Sequence, residues 1–253
     1  MKRWLGTLMG IGLVGLGYMA FEAKRNSVLT HELSFQKISK HSNGFTIYFI
    51  SDVHARCISE EMLQSVGTCD LIIIGGDFTE KGVPLHRTEE NIKRLKALCN
   101  QIYFVWGNND LEVNTHLLVK LFNKYGITIL DNQVSRIMVK NQFISLVGVN
   151  ELQYPIDYYS FYKEIKQDDF VLLISHYPNV EDYLPLNHPF SLLLAGHTHG
   201  GQIRLGNFGL EERGSLKWRQ QFASLVSNGY GTTLVPLRLG APSETHLIEI
   251  NKK

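Results

Sequence analysis

The sequence predicts an α/β fold in which two mixed β-sheets stack as a sandwich, with helices on the outside. Strand patterns alternate with helix patterns in the first half of the chain and predominate in the second half. The chain has 253 residues, of which 44% are hydrophobic, so it is long enough for one large domain with a buried core. We assign that domain to residues 44–253.

The individual elements follow from hydrophobic periodicity and residue type. Phe45–Ile50 is rich in β-branched and aromatic residues, and 70–74 is apolar after its first residue, so both are predicted strands, the second buried on both faces. Helical spacing is found at 60–66, 88–98 and 115–124, the last capped by Thr115. Later apolar segments predict strands at 101–106, 143–149, 170–175, 191–195, Val226, 234–235 and 246–250.

The amino terminus differs from the rest of the chain. Residues 4–21 carry no charge, include five glycines and are flanked by basic pairs. A membrane-spanning helix needs about 17–25 apolar residues, and glycine suits helix packing in lipid. We therefore predict a membrane anchor within residues 1–25, with a cleaved signal peptide or a buried glycine-rich helix as alternatives. Residues 26–43 are mixed and polar and are predicted to be a linker.

This anchor predicts a membrane location with a single N-terminal span. Positive charge is nearly balanced on the two flanks, so the side of the membrane is weakly specified, and we favour the extracytoplasmic side. The oligomeric state is not indicated by the sequence.

Composition excludes several classes of function. The net charge is +1 and no basic block is present, so no nucleic-acid-binding patch is indicated. Three cysteines without paired spacing argue against a disulfide framework or a structural zinc site. Cys69 and Cys99 are predicted to pack as small hydrophobic residues, and Cys57 to lie near His54. No glycine-rich nucleotide loop or serine nucleophile motif is found.

Side chains that bind hard metal ions follow the predicted strands. They are Asp52, His54, Asp77, Asn108, His176, His197 and His199. The carboxyl ends of strands are where open α/β sheets place ligands, so these side chains are expected to converge. Seven oxygen and nitrogen ligands without a thiolate suit two divalent ions, Mn²⁺, Fe or Zn²⁺, that share one carboxylate.

The order of these motifs resembles that of the calcineurin-like metallophosphoesterases. The resemblance covers about residues 45–250 and rests on Asp52-x-His54, Gly76-Asp77, Gly107-Asn108-x-Asp110, His176 and Gly196-His197-x-His199. The extended form Gly196-His-Thr-His-Gly-Gly-Gln202, with Arg238-x-Gly-Ala-Pro-x-Glu244, resembles the membrane-associated bacterial branch of that family. It implies a four-layer α/β/β/α sandwich.

The resemblance also implies a set of ligands and a reaction. Asp52, His54 and His199 would hold one metal ion, whereas Asn108, His176 and His197 would hold the second, and Asp77 would bridge them. Hydroxide held between the ions would then hydrolyse a phosphoester or phosphoanhydride.

Three further residues receive predicted roles in catalysis. Asp110 would orient a metal-bound histidine. Arg56 would either bind a phosphate oxygen or be a solvated loop residue. The family's histidine acid is replaced by Asn109, whose amide cannot donate a proton as an acid. His86 and His116 would either substitute for it or, as we favour, be surface residues.

Two open questions concern function and substrate. Asn109 favours an alternative function, a catalytically weakened metal-binding membrane scaffold, whereas the presence of all seven ligands favours an enzyme. The aromatic segment 154–162 would form either core or an apolar lid. A lid together with an anchor would favour a lipid-linked phosphoester or pyrophosphate as substrate.

Overall fold

The strands form two six-stranded sheets in a computed structural model that describes residues 2–42, 44–150, 157–219 and 222–253. Sheet A has the order β1-β12-β2-β3-β4-β5, where the strands are β1 (Ser27–Phe35), β2 (Phe45–Ile50), β3 (Leu71–Ile74), β4 (Ile102–Phe104), β5 (Ile127–Ile129) and β12 (Glu244–Lys252). Sheet B has the order β10-β11-β9-β8-β7-β6, where the strands are β6 (Gln133–Val139), β7 (Gln142–Val149), β8 (Phe170–Ser175), β9 (Leu192–Ala195), β10 (Ser215–Arg219) and β11 (Phe222–Val226).

Helices α2 (Glu60–Val66), α3 (Leu85–Leu98), α4 (Thr115–Tyr125) and α5 (Tyr158–Glu164) form the outer layers, and α1 (Lys2–Ala23) precedes β1. The N-cap of α2 is Ser59, whose hydroxyl accepts from the Met62 amide, and α4 ends at Gly126 in the left-handed conformation that glycine adopts without steric cost.

Three hydrophobic clusters fill the space between the layers. Inward-facing side chains of both sheets, such as Ile47, Phe49 and Leu172, form the central cluster. Tyr48 and Ile50 point the other way, because side chains alternate along a strand, and meet α2, α3 and α4 in the second cluster. Phe161 of α5 belongs to the third cluster, on the outer face of sheet B. The predicted sandwich of two mixed sheets with flanking helices is confirmed.

Parallel pairing places the predicted ligands at one edge of each sheet. In sheet A, β2, β3, β4 and β5 are parallel neighbours, and in sheet B the order β7, β8, β9, β11 is parallel. Antiparallel pairs occur only outside these groups, at β12–β2, β6–β7 and β10–β11 among the described strands. The carboxyl ends of β2, β3, β4, β8 and β9 therefore lead directly into the metal-binding motifs.

The predicted membrane anchor and membrane location are wrong. Residues 2–23 do form a helix, α1, but within the described residues no helix combines the length and apolar content needed to cross a bilayer. The buried-helix alternative is not observed either, because side chains such as Val14 and Phe21 are exposed, and among the described side chains of α1 only Glu22 and Ala23 are buried.

The predicted linker over residues 26–43 is also wrong for most of its length. Ser27–Phe35 pairs in parallel with β12 along the whole strand, and Leu33, Phe35 and Ile38 are buried in the central cluster. The polar side chains that suggested a linker lie on the exposed face of this edge strand. The predicted strand at 234–235 is a loop, in which Leu234 is exposed and has a φ of 60°.

A buried histidine on β12 predicts acid sensitivity. Burial, followed by the neighbouring His31, lowers the pKa of His246 to about 3, so the ring stays neutral in the folded protein. His246 Nε2 lies 2.9 Å from Ser227 Oγ and 3.7 Å from a Glu244 oxygen, and Nδ1 lies 3.1 Å from His31 Nε2. In the unfolded chain the ring takes up a proton near pH 6.5, so its contribution to stability is lost as the pH falls below that value.

We expect His246→Gln to reduce the acid sensitivity of unfolding. Between pH 6.5 and 4.5 the free energy of unfolding of the wild type should fall by roughly 2–3 kcal/mol more than that of the variant. One pH unit corresponds to about 1.4 kcal/mol for each proton that only the unfolded chain binds. Urea denaturation of metal-free protein at both pH values measures the difference. Exposed His41, replaced by glutamine, is the control. Equal pH dependence in wild type and His246→Gln would contradict the prediction.

Candidate metal centre

Two groups of buried or half-buried ligand side chains meet where the strands end. Asp52, His54 and His199 offer ligand atoms within 4.8 Å of one another, and Asp77, His176 and His197 form a second such group. In the first group, His199 Nε2 is 3.1 Å from His54 Nε2 and 3.5 Å from Asp52 Oδ1. In the second group, His176 Nε2 is 3.2 Å from His197 Nδ1. The structure thus brings six of the seven predicted ligands together in the predicted grouping.

The backbone at these positions is strained. Asp52, His54, Asp77, His197 and His199 all have φ values between 49° and 71°, a region that non-glycine residues seldom adopt. Such strain costs about 1–3 kcal/mol per residue and persists where surrounding structure enforces it, commonly at functional sites. The strained backbone of these loops therefore directs the ligand side chains toward one another.

Asp77 lies between the two groups. Its Oδ2 atom is 3.3 Å from His176 Nε2 and 3.9 Å from His54 Nε2, so one carboxylate faces a histidine of each group. Burial raises the pKa of Asp77, but hydrogen bonding and positive charge from His176, with further help from His54 and the Asn109 amide, outweigh it and hold the pKa below its usual value. Asp77 is thus an anion placed at the centre of the site.

Two of the histidines are oriented by acceptors that fix their ring nitrogens. His54 Nδ1 donates to Glu80 at 2.9 Å, and His176 Nδ1 donates to the carbonyl of Gly75 at 2.9 Å. Both Nε2 atoms therefore face the interior of the site, as is usual for metal-binding histidines. Burial lowers the pKa of His176, but Asp77 raises it more, to about 9, so a cation binding there would displace a proton.

His199 is held by a buried arginine. Arg238 is fully buried, and its Nη2 donates to His199 Nδ1 at 3.0 Å. The same guanidinium donates to the carbonyls of His199, Asn228, Gly231 and Ala241, which ties the β9–β10 loop to the β11–β12 loop. Burial lowers the pKa of His199 to about 3, and the positive charge of Arg238 acts in the same direction. Its ring is therefore neutral.

Asn108 and Asn109 lie beside Asp77. Asn109 donates to both carboxylate oxygens of Asp77, from its backbone at 2.7 Å and from its side-chain amide at 2.8 Å. Asn108 Oδ1 accepts from the Tyr177 hydroxyl at 3.3 Å, and the Tyr177 ring packs 4.2 Å from that of His197. Asn108 is therefore placed near the second group, and its role as a ligand stays a prediction.

Asp110 contacts backbone amides rather than a histidine. Its two oxygens accept from the amides of Thr79 and Gly107, both at 3.0 Å. Burial and the charge of Asp77 raise the pKa of Asp110 to about 7. The observed contacts connect the loops after β3 and β4, which differs from the predicted contact with a metal-bound ring.

Arg56 contacts an aromatic ring and loop carbonyls outside the two ligand groups. Its guanidinium stacks 3.7 Å above the Tyr230 ring and donates to Tyr230 O, Ser243 Oγ and the carbonyls of Lys24 and Arg25. These contacts fasten the end of α1 to the domain, and they favour a structural role over the predicted phosphate contact. His86 and His116 are exposed on α3 and α4, and Cys57 is exposed.

The donor set fits divalent metal ions. Imidazole nitrogens and carboxylate oxygens converge without a thiolate, which suits Mn²⁺, Fe and Zn²⁺. The glycines around the site leave room for the carboxylates: a Cβ on Gly196 would lie 2.5 Å from Asp52 Oδ2. The residues present therefore fit such ions.

Glu80 is a site residue that the sequence interpretation missed. It lies three residues after Asp77, and its only sequence signal is that a carboxylate follows the Gly-Asp motif closely. We expect Glu80→Ala to lower metal affinity or activity by about 10–100-fold, because partners that orient a ligating histidine have effects of that size. Glu80→Gln should be milder, since its amide oxygen can still accept from His54.

Metal titration followed by calorimetry, with initial rates, measures this effect. Glu61→Ala on the exposed side of α2 is the control. Unchanged affinity and rate in Glu80→Ala would show that His54 needs no such partner.

Comparison with known proteins agrees with this geometry. A family model described as calcineurin-like phosphoesterase matches residues 45–201. The chain is 41% identical to the uncharacterized protein YpbG of Bacillus subtilis (strain 168), over 90% of this chain and 89% of the relative. It is 27% identical to phosphodiesterase YaeI of Escherichia coli (strain K12), over 93% of each chain.

A solved structure supports the fold. The 5′-nucleotidase precursor from Thermus thermophilus aligns with a TM-score of 0.50 at 12% identity, over 81% of this chain and 54% of that chain. The predicted assignment to a membrane-associated branch is not supported. The family model and the 41% identical relative nevertheless decide the broader question, and the chain belongs to the calcineurin-like phosphoesterase family and is a phosphoester hydrolase.

Proposed function

We propose that this protein hydrolyses phosphodiesters at a centre of two divalent metal ions, with Asp77 shared between them. The observation that carries the proposal is the position of Asp77 Oδ2, which faces His176 at 3.3 Å and His54 at 3.9 Å, one histidine from each ligand group. The similarity to a protein named phosphodiesterase over 93% of the chain supports a diester as substrate.

The protein's own residues would hold the site and the substrate in place. Asp52, His54 and His199 would hold one ion, whereas His176, His197 and Asn108 would hold the other. When bound, the ions supply an activated water and neutralise charge on the phosphoryl oxygens. Asn109 and Glu80 hold Asp77 and His54 in position, and Tyr177 packs against His197 at the wall of the site.

A lipid-linked substrate is no longer favoured. It rested on a membrane anchor, which is overturned, and on an aromatic lid at 154–162. Residues 151–156, which include Tyr154, lie outside the described residues. Tyr158 and Phe161 are buried and Tyr162 packs against the same cluster, so the described part is largely core.

A substrate panel with metal analysis tests the proposal. Metal-free protein is loaded with Mn²⁺, its bound metal is counted, and rates are measured on bis(p-nitrophenyl) phosphate, p-nitrophenyl phosphate and a dinucleotide pyrophosphate. We expect two bound ions and the highest rate on the diester. Two bound ions without turnover of any ester would favour the weakened scaffold. A preference for the monoester or the pyrophosphate would overturn the diester assignment.

Asn109 predicts that the rate of hydrolysis depends on the pKa of the leaving group. No imidazole acid stands at this position, so the rate should fall steeply as the leaving-group pKa rises across a series of aryl phosphodiesters. Asn109→His should flatten that dependence and raise turnover on poor leaving groups by about one to two decades, part of the usual general-acid contribution.

Steady-state rates across the series, for wild type, Asn109→His and exposed Asn123→His as control, measure the effect. A wild-type rate insensitive to leaving-group pKa, with chemistry shown to limit turnover, would mean that another acid is already in place.

A further inference from the structure

Cys69 and Cys99 lie side by side at the end of sheet A opposite the metal ligands. Cys69 lies two residues before the start of β3, and Cys99 is the residue at which α3 ends before β4. β3 and β4 are parallel neighbours with Ile72 opposite Ile102, so both cysteines stand three residues before a paired position. Residues opposite each other on neighbouring strands are about 5 Å apart, and a disulfide needs Cα atoms about 4.4–6.8 Å apart.

The contacts of the sulfur atoms hold the pair together. As a thiol, Cys99 Sγ donates to the carbonyl of Asp70, the residue after Cys69, at 3.3 Å, and in either protonation state it accepts from the Gln101 amide at 3.4 Å. Each thiol also shifts the pKa of the other, in opposite directions, because the two sulfur atoms are neighbours. Both side chains are partly buried and pack against the cluster beneath α2 and α3. The register and these contacts place the two cysteines next to each other.

The surroundings make the two sulfur atoms unequal. The neighbouring Cys69 thiol lowers the pKa of Cys99 to about 6, against the opposing effect of burial, and the nearby Lys96 contributes in the same direction. The Cys99 sulfur and burial raise the pKa of Cys69. A thiolate beside a thiol is the arrangement in which the thiolate attacks an oxidant and the thiol completes the bond.

We propose that Cys69 and Cys99 are a redox pair that forms a reversible disulfide with a small-molecule disulfide as oxidant. The Cys99 thiolate attacks one sulfur of the oxidant, which releases one small thiolate and leaves a mixed disulfide. Cys69 then loses its proton and attacks Cys99 Sγ, which releases the second small thiolate. Two electrons pass to the oxidant, and one intramolecular S–S bond is formed.

The consequence would be a change in stability. The bond closes a loop of about 30 residues that contains β3, α3, Asp77 and Glu80, and loops of that length gain stability when cross-linked. The metal ligands lie at the other ends of the strands, so the bond would not touch them. Oxidation would therefore fasten the part of the domain that carries Asp77 without altering the ligands.

Oxidised glutathione applied to the full-length protein tests the proposal. We expect free thiols to fall from three to one, peptide mapping to show a link between Cys69 and Cys99, and Tm to rise by roughly 5–10 °C, reversibly with dithiothreitol. Cys57→Ser, at an exposed position, should form the same bond. Cys69→Ser should instead accumulate a stable mixed disulfide at Cys99, and Cys99→Ser should react at least about tenfold more slowly.

Other outcomes would overturn the proposal. These are a link through Cys57, a persistent mixed disulfide in the wild type, or no loss of thiols under conditions that oxidise dithiothreitol. If a serine variant fails to fold, the peptide map and the reversible Tm shift of the wild type still decide the question.

Discussion

Replacing Asp77 with asparagine is expected to remove most bound metal and to lower turnover by about three decades or more. The carboxylate faces histidines of both ligand groups, at 3.3 and 3.9 Å, and one neutral amide cannot offset the charge of two cations. Metal ions stabilise phosphoryl transition states by several kcal/mol, and each decade in rate corresponds to about 1.4 kcal/mol. Metal content by elemental analysis and the rate on an aryl diester measure both effects.

The control is Asp168→Asn, at an exposed aspartate outside the site. Circular dichroism of both variants shows whether the fold is retained. Full activity with two metal ions retained in Asp77→Asn would contradict the shared position of Asp77. Loss of one ion with partial activity would restrict Asp77 to the group of His176 and His197.

Much of the candidate site could be predicted because its residues are encoded locally. Asp52 and His54 follow β2, Asp77 follows β3, and His197 follows β9, so each ligand is marked by the end of an apolar strand. Neighbouring parallel strands end at the same edge of a sheet, so the side chains that follow different strands can be assigned to one site before the tertiary structure is known. The sandwich follows from the same strand patterns.

The missed features depend on contacts between distant parts of the chain. Arg238 reaches His199 across 39 residues, and Tyr177 reaches Asn108 across 69. The roles predicted for Asp110 and Arg56 rested on closeness in sequence, whereas their observed partners are backbone amides and the end of α1. Arg238 belongs to a motif of the sequence but had no predicted role, because its contact with His199 joins the β11–β12 loop to the β9–β10 loop and is not visible in the local sequence.

The amino terminus shows the limit of counting uncharged residues. Residues 4–21 have no charge, yet within the described part of the chain no helix is long and apolar enough to cross a bilayer. Residues 27–35 looked like a linker because one face of an edge strand is exposed, and pairing with a strand more than 200 residues away cannot be seen in local composition.

Gly196→Ala should inactivate the enzyme by displacing the carboxylate of Asp52. A Cβ at Gly196 would lie 2.5 Å from Asp52 Oδ2 and 2.7 Å from Ser51 Oγ, closer than real Cβ atoms approach other heavy atoms. Asp52 and Ser51 are fully buried, so neither has space to move, and the carboxylate must leave its place beside His54 and His199. A misplacement of about 1 Å at a catalytic centre costs on the order of 10²-fold in rate.

The distribution of metal loss distinguishes this effect from general unfolding. We expect Gly196→Ala to lose one ion and at least about 100-fold in rate, while the group of Asp77, His176 and His197 retains the other. Gly15→Ala, where an added Cβ meets no atom within 4 Å, should leave metal content and rate unchanged. Two ions bound at wild-type affinity in Gly196→Ala would mean that Asp52 is not a ligand, since the added methyl group and the observed carboxylate position cannot coexist.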